Sequence, residues 1–359
     1  MQLGILGLSK VGKTTLFNLL TSSSAETGKF GHSTAAHIAV AKVPDTRLAA
    51  LRDLYHPKKY SPATVDYVDI PGIQRDESRE NLDLTSLKTV DALVHVVRAF
   101  EDSELLHSEG GIDPRRDVES IDLELILSDL EIVERRLQKL EQSKKRGLQP
   151  EEIREQSLLA ETVLPTLESE TSLRTLSLEA EDERRLRGFQ LLSAKPLLVV
   201  FNVGEEDVGS GGADQATVPQ CEDQPKRRQV VVSAPIEAEI AKLPAEEQSE
   251  FLTDLGLTEP SVDRVVRASY DLLGLISFFT VGEDEVKAWT IRRGTPARKA
   301  AGAVHTDIER GFIRAETVGW EDLVRLGSTA ACREKALLRL EGKEYVVQDG
   351  DVMNFRFNI

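Results

Sequence analysis

The stretch Gly7-Leu8-Ser9-Lys10-Val11-Gly12-Lys13-Thr14 decides how this chain is read. It fits the pattern Gly-x-x-x-x-Gly-Lys-Ser/Thr, and its flanks fit as well: the apolar run 3–7 reads as a strand and the pattern over 13–20 as a helix. A Gly-rich turn that opens a helix gathers main-chain N–H groups at the positive end of the helix dipole, which is a cradle for polyphosphate. Gly7 and Gly12 supply the unusual dihedrals and the close approach that such a turn needs. Lys13 is placed to reach the β- and γ-phosphates. The Thr14 hydroxyl is placed to ligate Mg²⁺, and Ser9, Lys10, Val11 and Thr15 complete the candidate nucleotide-binding set.

Working outward, the run 64–70 (TVDYVDI) reads as a second strand that ends in Asp69-Ile70-Pro71-Gly72. A carboxylate there can hold the Mg²⁺ shell, and the Gly72 N–H can meet a γ-phosphate. Nucleotide-hydrolysing switches of the Ras type place a Gln after that Gly to orient water; this chain has Ile73, so any such group must come from elsewhere. Another strand is expected at 92–97 (ALVHVV). Strand–helix alternation over the first hundred residues predicts an α/β parallel sheet with helices on both faces.

The chain has 359 residues, which favours two or three domains. A charged fraction of 30% beside 40% hydrophobic residues is that of a folded globular protein. The net charge of −16 argues against a bulk-basic nucleic-acid binder, and no DNA partner is expected, although a local basic patch stays open. Two cysteines far apart, Cys221 and Cys332, suggest a reducing compartment. No apolar run approaches the roughly 18 residues of a membrane span, and the chain starts at once on strand-like LGILG, so a cytoplasmic protein without a signal peptide is expected.

From 121 to 145 the texture changes: Leu123, Leu127, Leu130, Leu137 and Leu140 recur at helical spacing among charges. After a break at 147–150 a second such pattern covers 151–167, which predicts an antiparallel helical hairpin. Strands return at 197–201 and 230–233, with an exposed loop expected over 204–229, and 261–273 reads as a closing helix. The remainder is strand-rich, with Asp349-Gly350 as a hairpin signal. The expected division is a nucleotide-binding domain in two parts, 1–112 and 193–275, a helical insertion at 113–192, and a C-terminal domain at 276–359.

The stretches GLSKVGKTTLFN, VPDTRL, VDIPG, HVVRAFE, KPLLVVFNVGEED, KAWTI, HTDIERGFIRAE and EGKEYVVQDGDVMNFRFN occur in the order found in the YchF family, and the chain resembles that family over essentially its whole length. The resemblance implies an Obg-related P-loop NTPase that prefers ATP, an inserted helical hairpin, and a C-terminal TGS domain of β-grasp fold. It also implies slow ATP hydrolysis and association with the ribosome or its RNA. Asn202 and Glu205 match the family's Asn-x-x-Glu, with Val203 where GTPases carry Lys. The Asp of the GTPase motif accepts two donors on the guanine edge, and the longer Glu shifts that acceptor by about a methylene and spoils the fit. A solvated loop acid is the competing reading of Glu205. Ser233-Ala234 matches the second base-binding loop, and His107 aligns with a His that the family uses in hydrolysis, where imidazole can orient water.

Three departures stand out. Switch I lacks the family's Glu-Pro-Asn, and either Ser33 or Thr34 is the candidate Mg²⁺ ligand there. Switch II is charged and carries no Gly. Lys10 replaces an Asn at a position where related NTPases coordinate K⁺, and it reads either as an ammonium that stands in for that ion or as a solvated lysine on the loop. In the C-terminal part His305-Thr306-Asp307 reads as structural or as a partner surface, and Arg292, Arg293, Arg298 and Lys299 read either as a solvated face or as an RNA-facing patch. The expectation is therefore a Mg²⁺-dependent ATPase, with Lys13 and His107 as catalytic candidates. A GTPase proper and a nucleotide-binding scaffold with little turnover are its rivals.

Overall fold

The computed structural model describes residues 1–22, 37–69, 84–102, 111–144, 147–207 and 226–358. It divides into two compact units, Met1–Ala39 with Asp66–Ala268, and Val40–Val65 with Ser269–Ile359. The chain passes between them within β2 (His37–Lys42), β4 (Thr64–Asp69) and α10 (Ser261–Leu272).

The first unit is built on a six-stranded sheet in the order β2-β4-β1-β5-β6-β7, with β1 at Gln2–Leu6, β5 at Ala92–Ala99, β6 at Leu197–Val203 and β7 at Arg227–Val232. The pairs β1–β4, β1–β5, β5–β6 and β6–β7 are all parallel, as strand–helix alternation predicts. Every residue of β5 and β6 is buried, which is the signature of central strands covered on both faces. The strand order reverses at β1, so the carboxyl end of β1 opens onto a topological switch point, where open α/β sheets bind ligands. Helices α1 (Lys13–Ser22) and α3 (Leu84–Lys88) belong to this part, and α8 (Ala234–Ile240) and α9 (Ala245–Asp254) follow β7.

The expected helical hairpin is present. α4 (Pro114–Ser143) runs 30 residues, about 45 Å at the usual rise. It is followed by α5 (Pro150–Leu158), a π-helical turn at Leu159–Val163, α6 (Leu164–Glu168) and the short α7 (Ala180–Leu186). Pro165 has no N–H to offer Glu161, and the widened turn just before it accommodates that loss. Arg136 joins the two arms through both oxygens of Glu155, at 2.6 and 3.0 Å.

The apolar stripe keeps Leu130, Leu137 and Leu140 of the leucine spacing but not its first two leucines. Leu123 and Leu127 are 37% and 49% exposed, while Ile126, Val133 and Leu140, seven residues apart, form the buried seam with Leu159, Val163 and Leu167. α4 packs on β5 of the sheet and on the π-helical turn and α6 of its hairpin partner, so its buried face is set by two neighbours.

The second unit holds a sheet in the order β11-β10-β12-β8-β9-β3, with β3 at Lys59–Ser61, β8 at Leu275–Thr280, β9 at Glu285–Arg292, β10 at Phe312–Gly319, β11 at Arg339–Glu341 and β12 at Asp351–Phe357. An antiparallel β8–β9 hairpin, the helix α11 (Ala297–Val304), and β12 running parallel to β8 give the expected β-grasp arrangement. Ala297, Ala300 and Ala301 let α11 sit close to the sheet, above Phe278, Phe312 and Phe355. The helices α12 (Thr306–Arg310), α13 (Trp320–Leu326) and α14 (Thr329–Glu334) complete it.

Asp349-Gly350 is a turn, but not a hairpin between paired strands: β12 pairs with β10 and β8. The turn is held instead by Ser277, whose N–H donates to Asp349 (2.9 Å) and whose carbonyl accepts from Gly350 (2.9 Å). The segment 40–65, expected in the nucleotide domain, brings α2 (Thr46–Tyr55) and β3 to this second unit. Asp45 caps α2 and, with Asp349, binds Arg47. The strand β7 also starts inside the loop expected over 204–229, whose residues 208–225 lie outside the described residues.

A fully buried carboxylate fixes α4 to the chain that leads into β6. Asp129 accepts from the Leu192 N–H (2.8 Å), the Ser193 N–H (2.7 Å) and the Ser193 hydroxyl (2.6 Å). Asp129→Ala strands three donors, and a loss of about 3 kcal/mol in urea unfolding is expected.

Candidate functional site

The site is assembled where β1 ends. Gly7 has φ +148°, and a Cβ there would lie 2.3 Å from the Val96 carbonyl oxygen of β5, so only glycine lets the loop pass the neighbouring strand. Gly12 has φ +98°, and its Cβ would lie 2.4 Å from Asn202 Nδ2. Between them Lys10 adopts φ +61°, a left-handed conformation that Asn tolerates far better than Lys. The Lys10 side chain is exposed, Ser9 half-buried and Val11 2% exposed. Thr14 and Thr15 are exposed in the first turn of α1, whose hydrogen bonding starts with the Leu16 N–H donating to the Gly12 carbonyl at 2.9 Å.

Lys13 is 8% exposed, and its ammonium donates to the carbonyls of Gly7 (2.9 Å) and Leu8 (2.5 Å). Burial pulls its pKa down to about 8, against the pull of the Asp69 charge. Asp69 is the last residue of β4, in register with Ile5 of β1. A lysine folded onto its own loop is stored where phosphate oxygens can replace carbonyl oxygens as partners.

The base-loop candidates converge on the same loop. Asn202, 3% exposed in β6, donates from Nδ2 to the Val11 carbonyl (3.1 Å) and accepts at Oδ1 from the Ala234 N–H (3.0 Å). One amide thus ties the phosphate loop to the start of α8. Ser233 precedes α8, buried, and its hydroxyl has no hydrogen-bond partner among the described residues. Val203 ends β6 with its side chain fully buried, and Glu205 is exposed in the turn Glu205–Asp207. Ser33, Thr34, Gly72 and His107 lie outside the described residues. Among the described residues no cluster of three His, Cys, Asp or Glu exists; the oxygen ligands on offer are the Thr14 hydroxyl and the Asp69 carboxylate, donors suited to a hard cation.

Two polar residues beside the site were not singled out in the sequence. Arg98, 2% exposed and opposite Asn202 in register, donates to the carbonyls of Phe100 (3.1 Å) and Asp102 (3.3 Å) and stacks on the Phe100 ring at 4.7 Å. It holds the chain as it leaves β5. His95 is buried in the same strand, and burial lowers its pKa to about 4, so it is neutral at neutral pH. A charged residue inside HVVRAFE was the available signal for Arg98; nothing in an apolar strand marks His95. In the second unit His305 is a helix cap: its Nδ1 accepts from the Asp307 N–H at 3.2 Å. Lys299 is paired with Glu309 at 2.8 Å, whereas Arg292 and Arg293 are exposed.

A strand, a glycine-framed loop, a helix-opening Lys-Thr and an Asp-ended neighbouring strand define a P-loop nucleotide-binding protein of the GTPase type. A family model described as 50S ribosome-binding GTPase matches residues 2–135, and the YchF-GTPase_C model, described as a protein of unknown function, matches 275–358. The chain is 42% identical over 363 residues to the "Ribosome-binding ATPase YchF" of Bacillus subtilis (strain 168), covering 99% of both. It is 36% identical to the "Obg-like ATPase 1" of Oryza sativa subsp. japonica, covering all of this chain and 92% of that relative. The solved structure of the Schizosaccharomyces pombe YchF GTPase superposes with a TM-score of 0.87 at 32% identity over 99% of this chain and 97% of that one. The chain belongs to the YchF family.

Two outcomes are expected of the loop itself. Lys10→Gly relieves the left-handed strain and stabilises the nucleotide-free protein by about 1 kcal/mol in urea unfolding. Because Lys13 titrates near pH 8 in the free protein and a bound polyphosphate favours its ammonium, binding takes up protons around pH 8 and weakens as pH rises above it. Calorimetry in two buffers of different ionisation enthalpy measures that uptake.

Proposed function

We propose that the protein is a Mg²⁺-dependent ATPase that prefers ATP to GTP and acts as a ribosome-associated regulatory switch. The observation that carries the reading is the Asn202 amide, which joins the phosphate loop to the Ser233-Ala234 loop and leaves Glu205 exposed just beyond it. The relatives named ribosome-binding ATPases support the activity and the partner. Among the described residues no helix is long and apolar enough to cross a membrane, and a cytoplasmic place beside ribosomes is part of the proposal.

Main-chain N–H groups from Ser9 to Thr15 bind and orient the triphosphate, and Lys13 leaves its loop carbonyls to reach the β- and γ-oxygens. Thr14 and Asp69, with Ser33 or Thr34 from switch I, are the residues that would hold Mg²⁺, which would supply neutralisation of charge on the transferring phosphoryl. The Gly72 N–H meets the γ-phosphate, and His107 orients the attacking water in place of the missing Gln. Val203, Glu205, Ser233 and Ala234 border the base. Lys10 supplies a fixed positive charge that makes turnover independent of K⁺. The division into 1–112, 113–192, 193–275 and 276–359 is kept as a functional one except for 40–65, which builds with the C-terminal part, and the helical and TGS-like parts face ribosome or ribosomal RNA.

Calorimetric titration with ATP and with GTP, followed by phosphate release with and without ribosomes, tests the reading. Tighter ATP binding, slow turnover lost in His107→Ala, and no stimulation by K⁺ are expected. A clear GTP preference makes the protein a GTPase proper. Equal, near-zero release from wild type and His107→Ala makes it a nucleotide-binding scaffold, as its altered switches would allow.

A further inference from the structure

In the second unit the pairing of β8 with β12 stops early. Val352 lies opposite Phe279, and β8 ends one residue later at Thr280, whereas β12 runs on to Phe357. On its other side β12 is paired with β10 along its whole length. The Trp320 N–H donates to the Gly350 carbonyl (3.2 Å) at one end of that pairing, and the Asn358 N–H donates to the Gly311 carbonyl (2.9 Å) at the other. Successive residues of a strand turn their main-chain groups to opposite sides. Even-numbered residues of β12 therefore face β10, while Met353, Phe355 and Phe357 face the side of β8. Beyond Thr280 no strand among the described residues stands beside Phe355 and Phe357.

A cavity of about 450 Å³ follows this open edge. It touches all six successive residues from Val352 to Phe357, and because strand side chains alternate between faces, only a cavity edge-on to the strand meets six in a row. Val281 and Ile308 give it apolar walls, and Phe357 is 41% exposed at its end. Its charged lining is Arg333, Arg356 and Glu316. Both guanidiniums reach the one carboxylate, at 3.8 and 3.1 Å, which also accepts from Asn354 at 3.3 Å. The Glu316 side chain is 13% exposed, those of Arg333 and Arg356 64% and 53%, so the groove presents surplus positive charge to its occupant.

We propose that the open edge of β12 is a docking site for an extended, acidic segment of a partner protein. The segment adds as a strand beside Phe355 and Phe357 and sets its carboxylates on Arg333 and Arg356. Unpaired strand edges recruit extended peptides through main-chain hydrogen bonds, with side-chain pockets giving specificity. A single-stranded RNA would meet the two arginines but leave the main-chain edge unused.

The test uses the full chain. Random peptides of about twelve residues displayed on phage are panned on it, and an enriched peptide is synthesised with a fluorophore. Enriched sequences are expected to alternate apolar and polar residues, with Asp and Glu outnumbering Lys and Arg. Binding is expected to weaken at least about tenfold in Phe357→Pro, which removes the edge N–H, and in Arg356→Glu, but only about twofold in Phe357→Ala, which keeps it. Hydrogen exchange on the wild type, which needs no variant to fold, shows the Phe355 and Phe357 amides slowed by the peptide. The proposal is overturned by a failure to enrich, by basic consensus sequences, by binding that ignores the variants or leaves those amides unchanged, or by displacement of the peptide with oligouridylate.

Discussion

The nucleotide site depends on one buried amide. Asn202 stands at the carboxyl end of β6 with its donor on the Val11 carbonyl and its acceptor on the Ala234 N–H. A carboxylate there would have no donor for Val11 and an ammonium no acceptor for Ala234, so the two partners together dictate Asn. The same amide dictates a neighbour: it occupies the space where any Cβ at residue 12 would go, and glycine follows. The phosphate loop is thus shaped from both sides, by the β5 main chain at Gly7 and by the Asn202 side chain at Gly12. Each bond adds only about 1 kcal/mol net, but losing the amide would leave a buried carbonyl and a buried N–H unsatisfied.

That arrangement explains why this chain can retain the Asn of the GTPase motif while its other positions differ. Asn202 holds loops together from within the protein, whereas Val203 is buried beside it and Glu205 stands in the exposed turn beyond. Within one short stretch the scaffold residue, Asn202, is thus separate from the side chains beyond it. Lys10 shows a similar separation. Its backbone takes the left-handed conformation the loop demands, at a cost that a β-carbon-bearing Lys does not avoid, while its side chain is left exposed beside the phosphate cradle. The strain is understandable if the charge is what the position supplies.

The core of the nucleotide unit was legible because its strands are unbroken apolar runs and its loop has a fixed spacing of Gly, Lys and Thr. β1, β5 and β6 therefore fall where their residues predict. The helical hairpin was legible as helices but only in part as a seam, because Leu123 and Leu127 have the right period on the wrong face; which side of α4 is covered depends on the sheet and on α6, not on spacing. The segment 40–65 gave no sign that it would complete the C-terminal sheet, since the partners that fix it, Asp349 for Arg47 and β9 for β3, lie more than two hundred residues away. Arg98 and His95 were missed for a related reason: a polar residue inside a strand announces neither its burial nor its partners.

The central claim is that Asn202 shapes the phosphate loop and does not act only on a base. Comparing the affinities of wild type and Asn202→Ala for ATP and for tripolyphosphate, which has no base, tests it most directly. Loss of both bonds is predicted to weaken both ligands by the same factor, about tenfold or more. Tripolyphosphate binding that is unchanged in Asn202→Ala while ATP binding falls would contradict the claim.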